Sequence, residues 1–129
     1  MEIRDAREAD AETLATLTDS PQDVMVNLVH DRTVRVAEDD ESIRGFVSFD
    51  ARDRTVHVTQ LDGDREACDR LLDEPVRFAR QESMRVEVLV PEPERTVREV
   101  VSGAGFDRVG AGPKFEGIET VRYRLDPAE

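Results

Sequence analysis

The sequence predicts an α+β domain built on a mixed central sheet of about seven strands, in the order β-α-α-β-β-β-α-β-α-β-β. Three observations predict it. Segments with apolar residues at every second position alternate with segments whose apolar residues recur every three or four. Three strand-like segments in the first half are separated only by short polar turns, which makes an antiparallel meander. A helical segment then divides the fourth strand from the fifth, and a crossover of that kind joins parallel neighbours.

Each element has a local reason. Glu2 to Arg4 reads as a short first strand. From Glu8 the chain reads helical, with Ala11, Leu14, Ala15 and Leu17 on the inner side. Asp19-Ser20-Pro21 stops that helix and starts another, with Ser20 as N-cap, Pro21 at the first helical position, and Val24, Met25 and Leu28 facing inward. Thr33 to Glu38, Ile43 to Asp50 and Thr55 to Gln60 are the meander, turned by Asp39-Asp40-Glu41-Ser42 and Ala51-Arg52-Asp53-Arg54. Ile43, Gly45, Val47 and Phe49 share one expected face of the middle strand.

Arg65 to Glu82 is helical, with Leu71, Leu72, Val76 and Ala79 as its core stripe. Pro75 interrupts it, so this helix either kinks or restarts with Asp73 near the cap. Arg85 to Val90 is a buried strand ended by Pro91-Glu92-Pro93. Glu94 to Ser102 is a helix with Val97, Val100 and Val101 inward, closed by Gly103-Ala104-Gly105. Phe106 to Ala111 and Ile118 to Leu125 are the last strands, and 126–129 is a tail. No internal repeat or linker divides the 129 residues, so one domain is expected.

Composition bounds function. Eighteen basic residues stand against thirty acidic ones, for a net charge of −12, and every basic residue but Lys114 is Arg. Nucleic-acid binding needs a basic face that displaces counterions, so no nucleic-acid partner is expected. The acidic excess is spread over the whole chain, which reads as adaptation to high salt rather than as a local trap for a cationic substrate. There is no apolar run long enough to cross a membrane and no secretory leader, so a soluble cytoplasmic protein without a membrane partner is expected. Cys68 is the only cysteine, which excludes an internal disulfide and a cysteine-based zinc site.

Several strings in this order resemble the GNAT acetyltransferase family. Val36-Ala37-Glu38-Asp39-Asp40-Glu41-Ser42-Ile43-Arg44-Gly45-Phe46-Val47 resembles the family's hairpin of second and third strands. Ile3-Arg4-Asp5-Ala6 with Asp10-Ala11 resembles its opening, and Val88 to Phe106 has the spacing of its fifth strand, fourth helix and closing Gly-Phe. The resemblance covers essentially the whole chain. It implies strands four and five that splay apart, acetyl-CoA as cofactor, and direct attack of a primary amine, on a small molecule or a peptide, upon the thioester. It further implies that the pantetheine arm lies along Val58, Thr59 and Gln60, and that the diphosphate lies at the start of the third helix.

Two placements of the family's phosphate loop are open. Read directly, Gln60-Leu61-Asp62-Gly63-Asp64-Arg65 supplies its Gln and Gly but ends in Arg, while counting back from Leu71-Leu72 and Ala79 puts Gly63, Glu66 and Cys68 at the motif positions. The resulting cofactor set is Val58, Thr59, Gln60, Gly63, Asp64, Arg65, Glu66, Ala67, Cys68 and Arg70. Arg65 or Arg70 supplies the positive charge that Asp62, Asp64 and Glu66 oppose. Glu94 and Val101 stand where the family often carries Asn and Tyr, so the usual proton donor to the thiolate is missing, and Tyr123 reads as a sheet residue.

His57 is the first candidate base, since imidazole titrates near neutrality, and Glu87 on the facing strand is the second. His30 reads as a helix cap. Cys68 reads as a small packing residue, or else as a thiol at a helix start. No metal motif is present in the spacing of the two histidines. Three functions remain open: an acetyl-CoA-dependent N-acetyltransferase, a non-catalytic GNAT-fold module that binds acyl-CoA or a protein partner, and an unrelated α+β binding domain. A homodimer is compatible with each.

Overall fold

The computed structural model describes residues 1–126, and the rest of the expected tail, 127–129, lies outside them. The strands are β1 (Glu2–Asp5), β2 (Thr33–Asp39), β3 (Ser42–Arg52), β4 (Thr55–Gly63), β5 (Arg85–Pro91), β6 (Asp107–Ala111) and β7 (Thr120–Leu125). The helices are α1 (Ala11–Thr18), entered through a single 3-10 turn, α2 (Gln22–Asp31), α3 (Arg65–Gln81) and α4 (Arg95–Gly103). All seven strands form one sheet in the order β1-β2-β3-β4-β5-β7-β6, antiparallel throughout except for the parallel pair β4 and β5.

The first two hairpins close through two-residue turns whose central residues all have positive φ: Asp40 and Glu41, then Asp53 and Arg54. That conformation follows the right-handed twist of the strands, and aspartate tolerates it better than most residues. Apolar side chains leave both faces of the sheet. On one side Val47, Val56, Val58 and Val88 pack with Leu71 and Leu72 of α3 and Val97 and Val101 of α4. On the other, Val34, Val36 and Phe46 pack with Ala11 and Leu14 of α1 and Met25 of α2. Burying each such Leu or Phe stabilises the fold by about 1.5–3 kcal/mol.

Several expectations change. α3 neither breaks nor restarts at Asp73; it runs unbroken through Pro75. Leu71, Leu72, Pro75, Val76 and Ala79 are all buried along one face, and that packing offsets the lost hydrogen bond, a cost of about 3 kcal/mol. Pro21, extended at ψ 144°, is the N-cap of α2 instead of its first residue, because Asp19 turns left-handed (φ 54°) and ends α1 one residue before Ser20. Met25 carries the inner face of α2, while Val24 is exposed. Ile43 packs with Phe46 rather than with Val47 and Phe49, because a bulge at Arg44 reverses the alternation. Leu17 is exposed rather than inward.

Candidate functional site

A second bulge builds the site. Ser48 pairs with Gln60 and Phe49 with Val58, so Thr59 is an extra residue in β4. Its hydroxyl donates to the carbonyl oxygen of Ser48 at 3.2 Å and lies 3.1 Å from the Ser48 hydroxyl, which fixes the bulge against β3. A bulge bends its strand and increases local twist. The consequence appears on the other edge of β4: the ladder to β5 ends at Val58 and Val88, although β4 continues to Gly63 and β5 to Pro91. Beyond that pair β5 follows β7, with Leu89 opposite Arg122 and Val90 opposite Val121. The two parallel strands splay.

The splay opens a cleft of about 260 Å³. Thr59, Gln60, Leu61 and Asp62 of β4 form one wall, with Leu89 and the start of α4 opposite and the α1–α2 junction closing one side. Leu17, Leu89 and Val97 add apolar patches to a mostly polar lining, and Leu17 is exposed because it faces this cleft. Two carboxylates, Asp62 and Glu94, belong to that lining. Burial pushes the Asp62 carboxyl above the usual carboxylate range, and the negative charge of Glu94 pushes it further. A hollow of similar size between Phe49, Glu74 and Phe78 lies at the far end of α3, where both neighbouring strands remain paired.

The β4–α3 junction is a single residue. Asp64 caps α3: its Oδ1 accepts from the N–H of Ala67 at 2.9 Å, and Arg44 Nε donates to its Oδ2 at 2.8 Å. The N–H of Ala67, more than any other group, holds the Asp64 carboxyl below its usual range. Gly63 (φ +137°) and Gly45 are in mutual contact across β3 and β4; a Cβ on Gly63 would come 2.7 Å from Gly45 Cα, and one on Gly45 would collide with the carbonyl oxygen of Asp62. Their bare backbone is used by that close approach.

The structure brings Thr59 and Gln60 together in the cleft and places Val58, buried, at the last rung before the splay. It does not bring Arg65 and Arg70 together. Five residues apart, they point about 140° from one another around the helix. Arg65 pairs with Glu99 of α4 at 2.6 Å, while Arg70 borders the hollow beside Glu2 and Ile3 at the β1 edge. Glu66 is exposed and Ala67 buried. Cys68 is fully buried; burial, with the carboxylate of Asp62 next in effect, pushes its thiol up to about 12, so it is a packing residue.

His57 and Glu87 face each other one rung before that last pair, and neither borders the cleft. The Glu87 carboxylate is held by Arg124 at 3.3 Å and Arg122 at 3.8 Å. His30 does not cap its helix; its Nε2 lies 3.3 Å from Glu8 Oε2. Tyr123 and Val101 are buried in the core. Asp62 was legible only as a charge near the helix start. Its role as a cleft carboxylate beside Glu94 depends on the fold, because the two are far apart in sequence.

Solved structures share this fold over nearly the whole chain. The ribosomal-protein-alanine N-acetyltransferase of Brucella melitensis superimposes with a TM-score of 0.79 at 15% identity, covering 98% of this chain and 99% of that one. An N-acetyltransferase of Staphylococcus aureus Mu50 gives 0.78 at 16% identity, with 97% of each chain covered. This chain has the GNAT fold. The protein yncA of Salmonella typhimurium, whose structure includes its cofactor acetyl-CoA, matches at 0.78 and 16% identity over 99% of this chain and 94% of that one. No protein-family model and no curated protein matches the sequence. Within the GNAT fold, the splayed parallel pair β4 and β5 is the element expected from the resemblance. Among the described residues, no helix is long and apolar enough to cross a membrane, and no group of three or more His, Cys, Asp and Glu side chains could hold a metal ion.

Proposed function

We propose that this protein is an acyltransferase that moves an acetyl group from acetyl-CoA to a primary amine in the β4–β5 cleft. One observation carries the reading: the Asp62 carboxyl, raised in pKa, and that of Glu94 stand in a cleft beside a strand edge without a strand partner. An extended pantetheine arm presents amide groups that suit such an edge, so the backbone of Thr59 and Gln60, just past the last rung at Val58, fits it. Acetyl-CoA supplies an activated acyl carbon whose thiolate is a good leaving group.

The chain's own residues do the rest. Leu17, Leu89 and Val97 offer the reacting groups apolar contacts. The Asp62 carboxylate takes the proton released when the amine nitrogen bonds to the acyl carbon. Its raised pKa suits that task better than an ordinary surface carboxylate. Glu94 raises the pKa of Asp62 and attracts the cationic amine into the cleft. We assign the base to Asp62 rather than His57 or Glu87, because neither of those borders the cleft and Glu87 is engaged by two arginines.

The test is thiol release from acetyl-CoA with a panel of amines: a diamine, an amino sugar and a short peptide. Asp62→Asn lowers kcat/KM by about 10²–10⁴-fold, and His57→Ala leaves it within about threefold. The reverse pattern overturns the assignment. A second reading, a non-catalytic acyl-CoA-binding or interaction module, has one observation in its favour: buried Val101 stands where the family often carries its acidic Tyr. Binding of acetyl-CoA without turnover of any amine in the panel selects it.

A further inference from the structure

Any ligand laid along β4 toward α3 meets Asp64 next, since that residue alone separates Gly63 from Arg65. A helix start binds an anion when its N–H groups are free and a cation stands near. Neither condition holds. The Asp64 carboxylate already sits on the N–H of Ala67, in the place an anionic ligand would take. Arg44, the cation beside it, spends Nε on Asp64 and Nη1 on Asp39, the latter at 2.9 Å. Arg65 is turned to Glu99, and Arg70 is on another flank. Glu66 adds a carboxylate in the first turn. Gly63 and Gly45 leave no open cradle, because each is filled by the other's strand.

The residues at this helix start therefore do not fit a diphosphate. Resting on the function proposed above, we infer that the cleft recognises its thioester donor by the pantetheine arm alone, so that the donor class is acylated pantetheine, with or without phosphate and nucleotide. A diphosphate near Asp64 and Glu66 is repelled, and at about 0.15 M salt a Debye length of about 8 Å leaves that repulsion in force. The repulsion is screened as salt rises, so acetyl-CoA gains affinity relative to a phosphate-free thioester. This is the reverse of a basic phosphate site.

The experiment is calorimetric titration of the full chain with acetyl-CoA, with S-acetylpantetheine and with adenosine diphosphate, at about 0.15 M and about 1 M KCl. Acetyl-CoA is expected to bind no tighter than S-acetylpantetheine at about 0.15 M KCl, with the difference narrowing at about 1 M, and adenosine diphosphate is expected not to bind at either salt. Asp64→Ser keeps a hydroxyl cap but removes the charge. It is expected to tighten acetyl-CoA by about tenfold or more and to leave S-acetylpantetheine unchanged. Acetyl-CoA binding about tenfold or more tighter than S-acetylpantetheine in the unsubstituted protein at about 0.15 M KCl overturns the inference and leaves the proposed function standing. Failure of both thioesters to bind at either salt overturns the proposed function and the inference with it. The comparison of ligands in the unsubstituted protein needs no variant to fold.

Discussion

Asp62 carries a conflict that single-residue chemistry makes measurable. Its raised pKa means that the folded state disfavours its charged form. The sign is therefore opposite to the usual carboxylate. Stability is lost as pH rises through the ordinary aspartate range toward the raised folded value, and stays lost above it. Asp62→Asn removes that cost while keeping the shape of the side chain. Chemical denaturation at neutral pH should show a variant as stable as the parent or more so, by up to about 1 kcal/mol. Cys68 gives the second residue-scale prediction. A thiol buried and pushed up to about 12 stays protonated at neutral pH. A thiol-specific reagent should leave it unmodified in the native protein and titrate one thiol per chain after denaturation; rapid native labelling would show that α3 opens at its start.

At the scale of elements, the contact between β3 and β4 sets the mouth of the cleft. Gly45→Ala drives a methyl group into the carbonyl oxygen of Asp62, so the two strands must separate at the point where Asp62 is held. Overpacking of this kind costs about 1–3 kcal/mol, and weaker acetyl-CoA binding in the same variant is expected because the wall moves. Unchanged stability by urea denaturation would mean that the strands are not in close contact there. The other edge of the sheet depends on Arg4, which grips Asp10 at 2.9 Å and Glu38 at 3.2 Å and so ties β1 to β2 and to the turn before α1. The Arg4 guanidinium, more than any other group, holds the Asp10 carboxyl below its usual range. A depressed carboxylate contributes stability that is present above the ordinary range and is lost as pH falls through its folded value. Asp10→Asn should therefore destabilise the protein at neutral pH and flatten the acid side of its stability profile, read as Tm against pH.

The whole molecule carries a net charge of −12 on 129 residues. Several arginine–carboxylate and lysine–carboxylate pairs among the described residues are solvent-exposed, where each pair contributes little. Self-repulsion of the excess carboxylates is then the larger long-range term. It is screened when the Debye length falls from about 10 Å at 0.1 M to about 3 Å at 1 M salt. Tm should rise between those two concentrations of KCl, and the rise should continue little beyond them. A Tm that falls with added salt would show that the surface ion pairs outweigh the repulsion.

What the sequence by itself determined is whatever local period and chain order decide. The order of strands and helices follows from the alternation of periods, and the parallel pairing of β4 with β5 from the crossover through α3. The inner face of α4, Val97, Val100 and Val101, follows from helical spacing. The Asp64 cap and the divergence of Arg65 from Arg70 are equally local, and both are readable once α3 is taken to begin at Arg65. Only the tertiary structure decided the rest, because each feature depends on a partner remote in sequence. Thr59 becomes a bulge only through the register of β4 on β3, and that register ends the β4–β5 ladder and opens the cleft. Leu17 is a cleft wall rather than core because of where the α1–α2 junction meets the splay. Pro75 stays inside a continuous helix because the sheet beneath it rewards burial of that face more than the missing hydrogen bond penalises it. Asp62 and Glu94 share one cleft only because β4 leads away from β5 while α4 begins where β5 ends, and burial there gives Asp62 the raised pKa on which the proposed chemistry depends.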